Sequence, residues 1–158
     1  ILSAPQKMDL PLGKPSDIKI AVDGRNMVVV ARDLNEHDHD SHGGPPSVLI
    51  HVVFYSLTDD DRWKRVNIFT ENAWTSDDFD ILYGVALSAK TAMVGLPFPG
   101  GVIFYEHNNL GVWTKATDLG GMFGSFVDVD AAAGIACASS SEDMHVFRRT
   151  VGGNWVVA

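Results

Sequence analysis

The sequence predicts an all-β chain of about three four-stranded antiparallel blades of the β-propeller type, and three observations carry that expectation. First, residues 82–119 and 124–158 repeat one another, and residues 18–69 form a stretched third copy. The aligned rows are Ile18-Lys-Ile-Ala-Val-Asp-Gly-Arg-Asn-Met-Val-Val-Val30, Tyr83-Gly-Val-Ala-Leu-Ser-Ala-Lys-Thr-Ala-Met-Val-Gly95 and Ser125-Phe-Val-Asp-Val-Asp-Ala-Ala-Ala-Gly-Ile-Ala-Cys137. Second, each row leads to a further apolar strand and then a tryptophan: Val53 to Trp63, Phe104 to Trp113, Val146 to Trp155. A period of about 40–50 residues built from short strands is the mark of a propeller array. Third, helical periodicity is poor, while period-2 alternation and β-branched runs recur between Gly and Pro punctuation.

The second repeat shows the elements most clearly. Tyr83–Leu87 reads as a first strand and Ser88–Lys90 as a tight turn. Thr91–Leu96 is mostly apolar, as a central strand buried on both faces should be. Gly101–Glu106 returns as a third strand, and a fourth begins at Trp113. Ile18–Val30, Val48–Tyr55, Phe126–Ala136 and His145–Phe147 repeat the pattern, with turn signals at Asp23-Gly24, Asn108-Asn109 and Gly152-Gly153-Asn154. The segment Ala4-Pro-Gln-Lys-Met-Asp-Leu10 resembles Trp113-Thr-Lys-Ala-Thr-Asp-Leu119. Residues 1–12 are therefore expected to be a strand completing a neighbouring or the last blade. The chain would begin inside one fourth strand and end inside another. Its opening, Ile1-Leu-Ser-Ala-Pro5, suits a processed or excised segment. Three blades are fewer than the roughly four to eight of a closed ring, so the ring is expected to be completed by self-association or by another chain.

Composition bounds the function classes. The 158 residues suit one domain, and 46% hydrophobic content allows a core. A net charge of −8 argues against nucleic acid, which needs a basic stripe. No apolar run is long enough for a transmembrane helix. The single cysteine, Cys137, excludes an intrachain disulfide and sits in an apolar run that predicts buried packing.

Candidate chemistry is sparse. His37, His39 and His42, with Asp38 and Asp40, lie in an insertion of the first repeat and could take zinc, nickel or copper through imidazole; a solvated polar loop is the plainer reading. Asp59, Asp60 and Asp61 occupy a hairpin tip. Trp74, with Asn72 beside it, is placed in a loop; because it does not repeat, it is the aromatic expected to mark an interface. Trp63, Trp113 and Trp155 do repeat, which predicts packing between blades rather than a row of aromatic platforms for glycans. No nucleophile elbow or phosphate-cradling loop is present, and the plentiful carboxylate pairs lie in turns whose separation in space the sequence does not give, so no catalytic residue is assigned.

Phe-Gly, apolar strand, short turn, Val-Gly-x-Pro, Gly-Val-x-Phe-Tyr and Trp, in that order, resemble the FG-GAP-type repeats of integrin-like β-propellers. Here the matching residues are Tyr83-Gly84, Phe123-Gly124, Val94-Gly95-Leu96-Pro97, Gly101-Val-Ile-Phe-Tyr105 and Trp113. The resemblance spans residues 18–158. It implies an interaction module of a secreted or cell-surface protein, while the acidic charge and lone cysteine fit a secreted protein, an organelle lumen or the cytosol. Family repeats carry an acidic calcium loop between their first two strands. The links here, Asp23-Gly-Arg-Asn26, Ser88-Ala-Lys90 and Asp130-Ala-Ala132, are too short or too poor in ligands, so no calcium is expected there. The reading is a non-catalytic module that binds a protein partner, or the remainder of a larger propeller, through the loops Asn35–Gly44, Asp59–Asp61 and Thr70–Asp80. A lectin-like glycan binder and a metal protein built on the His37/His39/His42 loop are the alternatives.

Overall fold

Alternation of apolar and polar residues, broken by glycine and asparagine turns, produces strands and hairpins throughout the described chain. The computed structural model describes residues 6–8, 10–13, 15–38, 47–74, 84–96, 101–121, 124, 126–139 and 143–158. The first sheet holds β1 (Pro15–Asp23), β2 (Asn26–Asp38), β3 (Ser47–Leu57) and β4 (Trp63–Trp74). The second holds β5 (Gly84–Ser88), β6 (Thr91–Leu96), β7 (Gly101–His107) and β8 (Trp113–Gly120). The third holds β9 (Phe126–Asp130), β10 (Ile135–Ser139), β11 (Met144–Arg149) and β12 (Trp155–Val157). Each is a four-stranded antiparallel meander paired in chain order. These are the three expected blades, and each fourth strand opens on the expected tryptophan.

The sheets pack face to face in sequence, with β1 against β5 and β5 against β9. One core lies between the first and second sheets, where Val28, Val30, Val52 and Phe54 meet Val94, Ile103, Tyr105 and Trp113. A second core lies between the second and third, where Met93, Val102 and Phe104 meet Ala136, Ala138, Phe147 and Trp155. The two share one design. Phe54 stacks on Trp113 at 4.3 Å and 17°, and Phe104 stacks on Trp155 at 4.5 Å and 2°. Both indoles are only 1% exposed. In each of the first two sheets a bulge falls opposite the Phe-Tyr pair, with Val66 and Ala116 as the extra residues. The bulge sets Asn67 across from Phe54 and Thr117 across from Phe104, so ring and polar side chain face the next sheet together. There the Asn67 Oδ1 accepts from the Trp113 backbone N–H at 3.1 Å, and the Thr117 Oγ1 accepts from Trp155 at 3.3 Å.

The outer face of the first sheet carries Met27, Val29, Val53 and Tyr55, and Met8, Leu10 and Trp63 pack against it. The Gln6 side chain bonds both backbone groups of Trp63, donating to its carbonyl at 3.0 Å and accepting from its N–H at 2.9 Å. This segment thus covers the first sheet as β4 and β8 cover the sheets after them. Its described residues, 6–8 and 10–13, lie outside the strand ladder, and Pro11 cannot donate to one.

Two expectations change. The first blade is longer than its repeats, because Ser47 pairs with both Asp38 and Trp74. The stretch 70–74, expected as loop, therefore closes β4, and His37 and Asp38 end β2. Cys137 is half-buried rather than buried. Its neighbours Ala136 and Ala138 point into the second core, so pleat alternation turns the thiol to the opposite face.

A close backbone contact joins β6 of the second sheet to Gly124, in the link before β9. A Cβ built on Gly95 would lie 1.9 Å from the Gly124 carbonyl oxygen, whereas one on Gly24 would meet nothing within 4 Å. Gly95→Ala should cost about 3 kcal/mol through overpacking. Gly24→Ala, strained only by its φ of +57°, should cost about 1 kcal/mol. Chemical denaturation of the two variants checks this order.

Candidate interaction surface

Local turn chemistry builds one edge of the molecule. In the first sheet Leu57 N donates to Arg25 O at 2.9 Å, which sets the β1–β2 and β3–β4 turns side by side. The Arg25 guanidinium pairs with Asp59 at 2.8 Å. The Thr58 hydroxyl donates to the Asp60 carboxylate and accepts from the Arg62 N–H at 3.2 Å. That hydroxyl bond holds the exposed Asp60 carboxyl below its ordinary pKa of 3.8. In the second sheet Asn108 Oδ1 accepts from Leu110 N at 2.9 Å and Val112 N at 3.0 Å. In the third, Thr150 and Asn154 close the corresponding turn, and Asp130 accepts from Ala132 and Ala133.

Bonds between sheets lock these turns to one another. Asp23 accepts the Ala89 N–H, and Ser88 Oγ accepts the Ala131 N–H at 3.0 Å. The result is a row of pinned hairpins presenting Asp59, Asp60 and Asp61, then Leu110 and Val112, then Val151. Leu110 is 88% exposed. Sequence reasoning passed over these apolar residues, although Leu110 in Asn108-Asn109-Leu110-Gly111 was a visible signal: an apolar residue in a polar turn.

The sequence candidates divide between two ends of the first sheet. Asp59, Asp60 and Asp61 are exposed on the pinned edge. Asn72 is exposed near the far end of β4 and pairs with Leu49. At about 3.3 Å per residue, β4 separates the two groups by roughly 35 Å. At that far end the backbones of Asp38, Ser47 and Trp74 form one row. The structure therefore unites the His37-Asp38 and Asn72–Trp74 candidates at one sheet end and separates them from the acidic turn. His39, Asp40 and His42 lie outside the described residues. Among the described residues, no three His, Cys, Asp or Glu side chains are grouped to hold a metal. Trp113 and Trp155 are buried in the stacks, so they offer no platform to a glycan.

Polar groups at the two sheet junctions differ. Glu106 accepts from the Trp155 indole N–H at 3.1 Å and pairs with Arg149 at 3.1 Å. Counting back from the paired residues before each tryptophan, the place of Glu106 belongs to Ser56 in the first sheet. Ser56 cannot reach so far, and the Trp113 indole N–H and His107 Nδ1 have no partner among the described residues. The first junction instead holds Glu71, which accepts from the Tyr105 hydroxyl at 2.8 Å and from Lys115 at 2.8 Å. Burial and the Glu71 carboxylate push the Tyr105 phenol well above its ordinary value of 10.0.

Comparison with protein-family models, with curated proteins and with solved structures returns no match.

Two outcomes follow from the junctions. Ser56→Glu should raise stability by about 1 kcal/mol, by giving the Trp113 indole an acceptor; thermal melting reads the gain. Because folding raises the Tyr105 pKa, its stabilisation is complete below pH ~10 and declines above that, by up to ~1.4 kcal/mol per pH unit. Tyr105→Phe should flatten this alkaline decline while costing about 1 kcal/mol at neutral pH; urea titrations between pH 7 and 11 measure both.

Proposed function

We propose that this chain is a non-catalytic interaction module, an FG-GAP-like propeller segment that engages a protein partner through the pinned turn edge. The observation that carries the proposal is the row of hairpins fixed by their own side chains and by Asp23 and Ser88, with Leu110 and Val151 exposed among them. Preordered turns lose little conformational entropy on binding. Exposed apolar tips supply the dry centre of a contact, and the acidic turn at Asp59–Asp61 supplies its polar rim. The partner surface should offer an apolar depression flanked by basic groups.

Affinity capture with quantitative mass spectrometry, followed by calorimetric titration of the captured protein, tests this reading. Leu110→Asp and Val151→Asp should each weaken binding about thirtyfold, the effect of an interface residue worth about 2 kcal/mol. Thermal stability should be unchanged, because both side chains lie outside the cores. If Trp74→Ala abolishes binding while the turn variants bind normally, the contact lies at the far end of the first sheet and the turn-edge reading fails.

A further inference from the structure

The third sheet turns an apolar face to solvent. Phe126, Ile135, Met144 and Val146 are exposed on it, with Cys137 between them; Phe126 is 69% and Val146 41% exposed. Register assigns these residues to one face: Ser139 pairs with both Phe126 and Met144, and Cys137 pairs with Val146 and with the exposed Asp128, which stands where Ala21 and Ala86 pack at the internal junctions. The outer face of the first sheet is also partly open. Ile20 and Val22 are exposed there beside Val29 and Met27, their pairing partners.

The two internal junctions show what each of these faces is built to meet. Counting back from the residue paired with each tryptophan, Val146 stands in the place of Phe54 and Phe104, which stack on the tryptophan of the next sheet. On the first sheet Trp63 stands in the place of Trp113 and Trp155. Asp130 ends β9 as Asp23 ends β1 and Ser88 ends β5, and both of those accept the first-turn N–H of the next sheet. The equivalent donor on the first sheet is Gly24 N. Arg148 occupies the place of Glu106, which reaches Arg149 in the next sheet. On the first sheet the place of Arg149 belongs to Leu57, and the acidic turn Asp59-Asp60-Asp61, whose Asp59 pairs with Arg25, follows after Thr58. The charges are reversed relative to the internal junction but remain complementary. The outer place on the first sheet is already filled by Gln6, Met8 and Leu10, and Gln6 bonds Trp63 as Asn67 bonds Trp113.

We infer that the open face of the third sheet docks on the outer face of the first sheet in a second copy of this chain. Val146 then lies against Trp63, Asp130 against the Gly24 turn, and Arg148 toward Asp59–Asp61. The contact is head-to-tail, so two copies close on each other through two identical junctions. The product is a ring of six sheets, inside the roughly four-to-eight range of propellers. This inference stands apart from the turn-edge reading, since the docking faces are sheet faces; it engages the Gly24 and Asp59–Asp61 turns at its margin and leaves the Leu110 turn of the second sheet free.

Sedimentation equilibrium at about 100 µM chain, a concentration that populates dimers of micromolar affinity, tests it with four proteins. The wild type should be a discrete dimer. Val146→Asp and Val22→Asp should each be monomeric, with circular dichroism unchanged. Mixed together, they should regain a dimer through the one junction left intact. Val146→Phe restores the aromatic of the internal junctions and should tighten the dimer about tenfold. A monomeric wild type, single variants that stay dimeric, an open series of larger species, or a mixture that remains monomeric would each overturn the inference.

Discussion

Everything in this molecule depends on a phenylalanine of one sheet lying flat against the tryptophan that opens the fourth strand of the next. A four-stranded sheet with two apolar faces is not stable alone and must be covered on both. The stacks Phe54–Trp113 and Phe104–Trp155 meet that need at one recurring place. They also fix how neighbouring sheets are set against each other, because the Trp backbone N–H is held by the residue paired with the stacking phenylalanine. A repeated bulge makes this possible by keeping ring and polar side chain on one face. Where the next tryptophan is Trp63, the Gln6 segment does the same work from outside the ladder.

The junctions are variations on that theme. Each carries one part-buried carboxylate, but at a different place. Glu71 at the first junction is held by a phenol and an ammonium, and Glu106 at the second by an indole and a guanidinium. A carboxylate at such a site is tolerated because donors converge on both its oxygens. Among the described residues the first junction leaves an indole N–H unmatched, so the second is the better satisfied of the two on the polar side.

The function proposed for the chain draws on the same stiffness. Stacked sheets leave their hairpins little freedom, and bonds from Asp23 and Ser88 remove more. Side chains at the tips, Leu110 and Val151 among them, are presented in fixed positions by the stacked scaffold.

Much of this was legible in the chain. The all-β class, the four-strand repeat, the tryptophans that begin β4, β8 and β12, and the acidic hairpin tip follow from period, turn residues and β propensity, which act over a few residues. The length of β2 and β4 was not legible, because the pairing of Ser47 with both Asp38 and Trp74 joins positions far apart in sequence. Nor was the facing of Cys137, since an apolar run does not say which face of a strand is covered. The candidate site fared likewise: the tip at Asp59–Asp61 could be read locally, but its distance from Asn72 is a property of a whole strand. Local preferences along the chain set the strand class, the repeat and most of its turns, though not the ends of β2 and β4. The tertiary structure decided which faces meet, which carboxylate finds which donor and which apolar residues remain in water, because those outcomes depend on stacking between sheets that no single repeat contains.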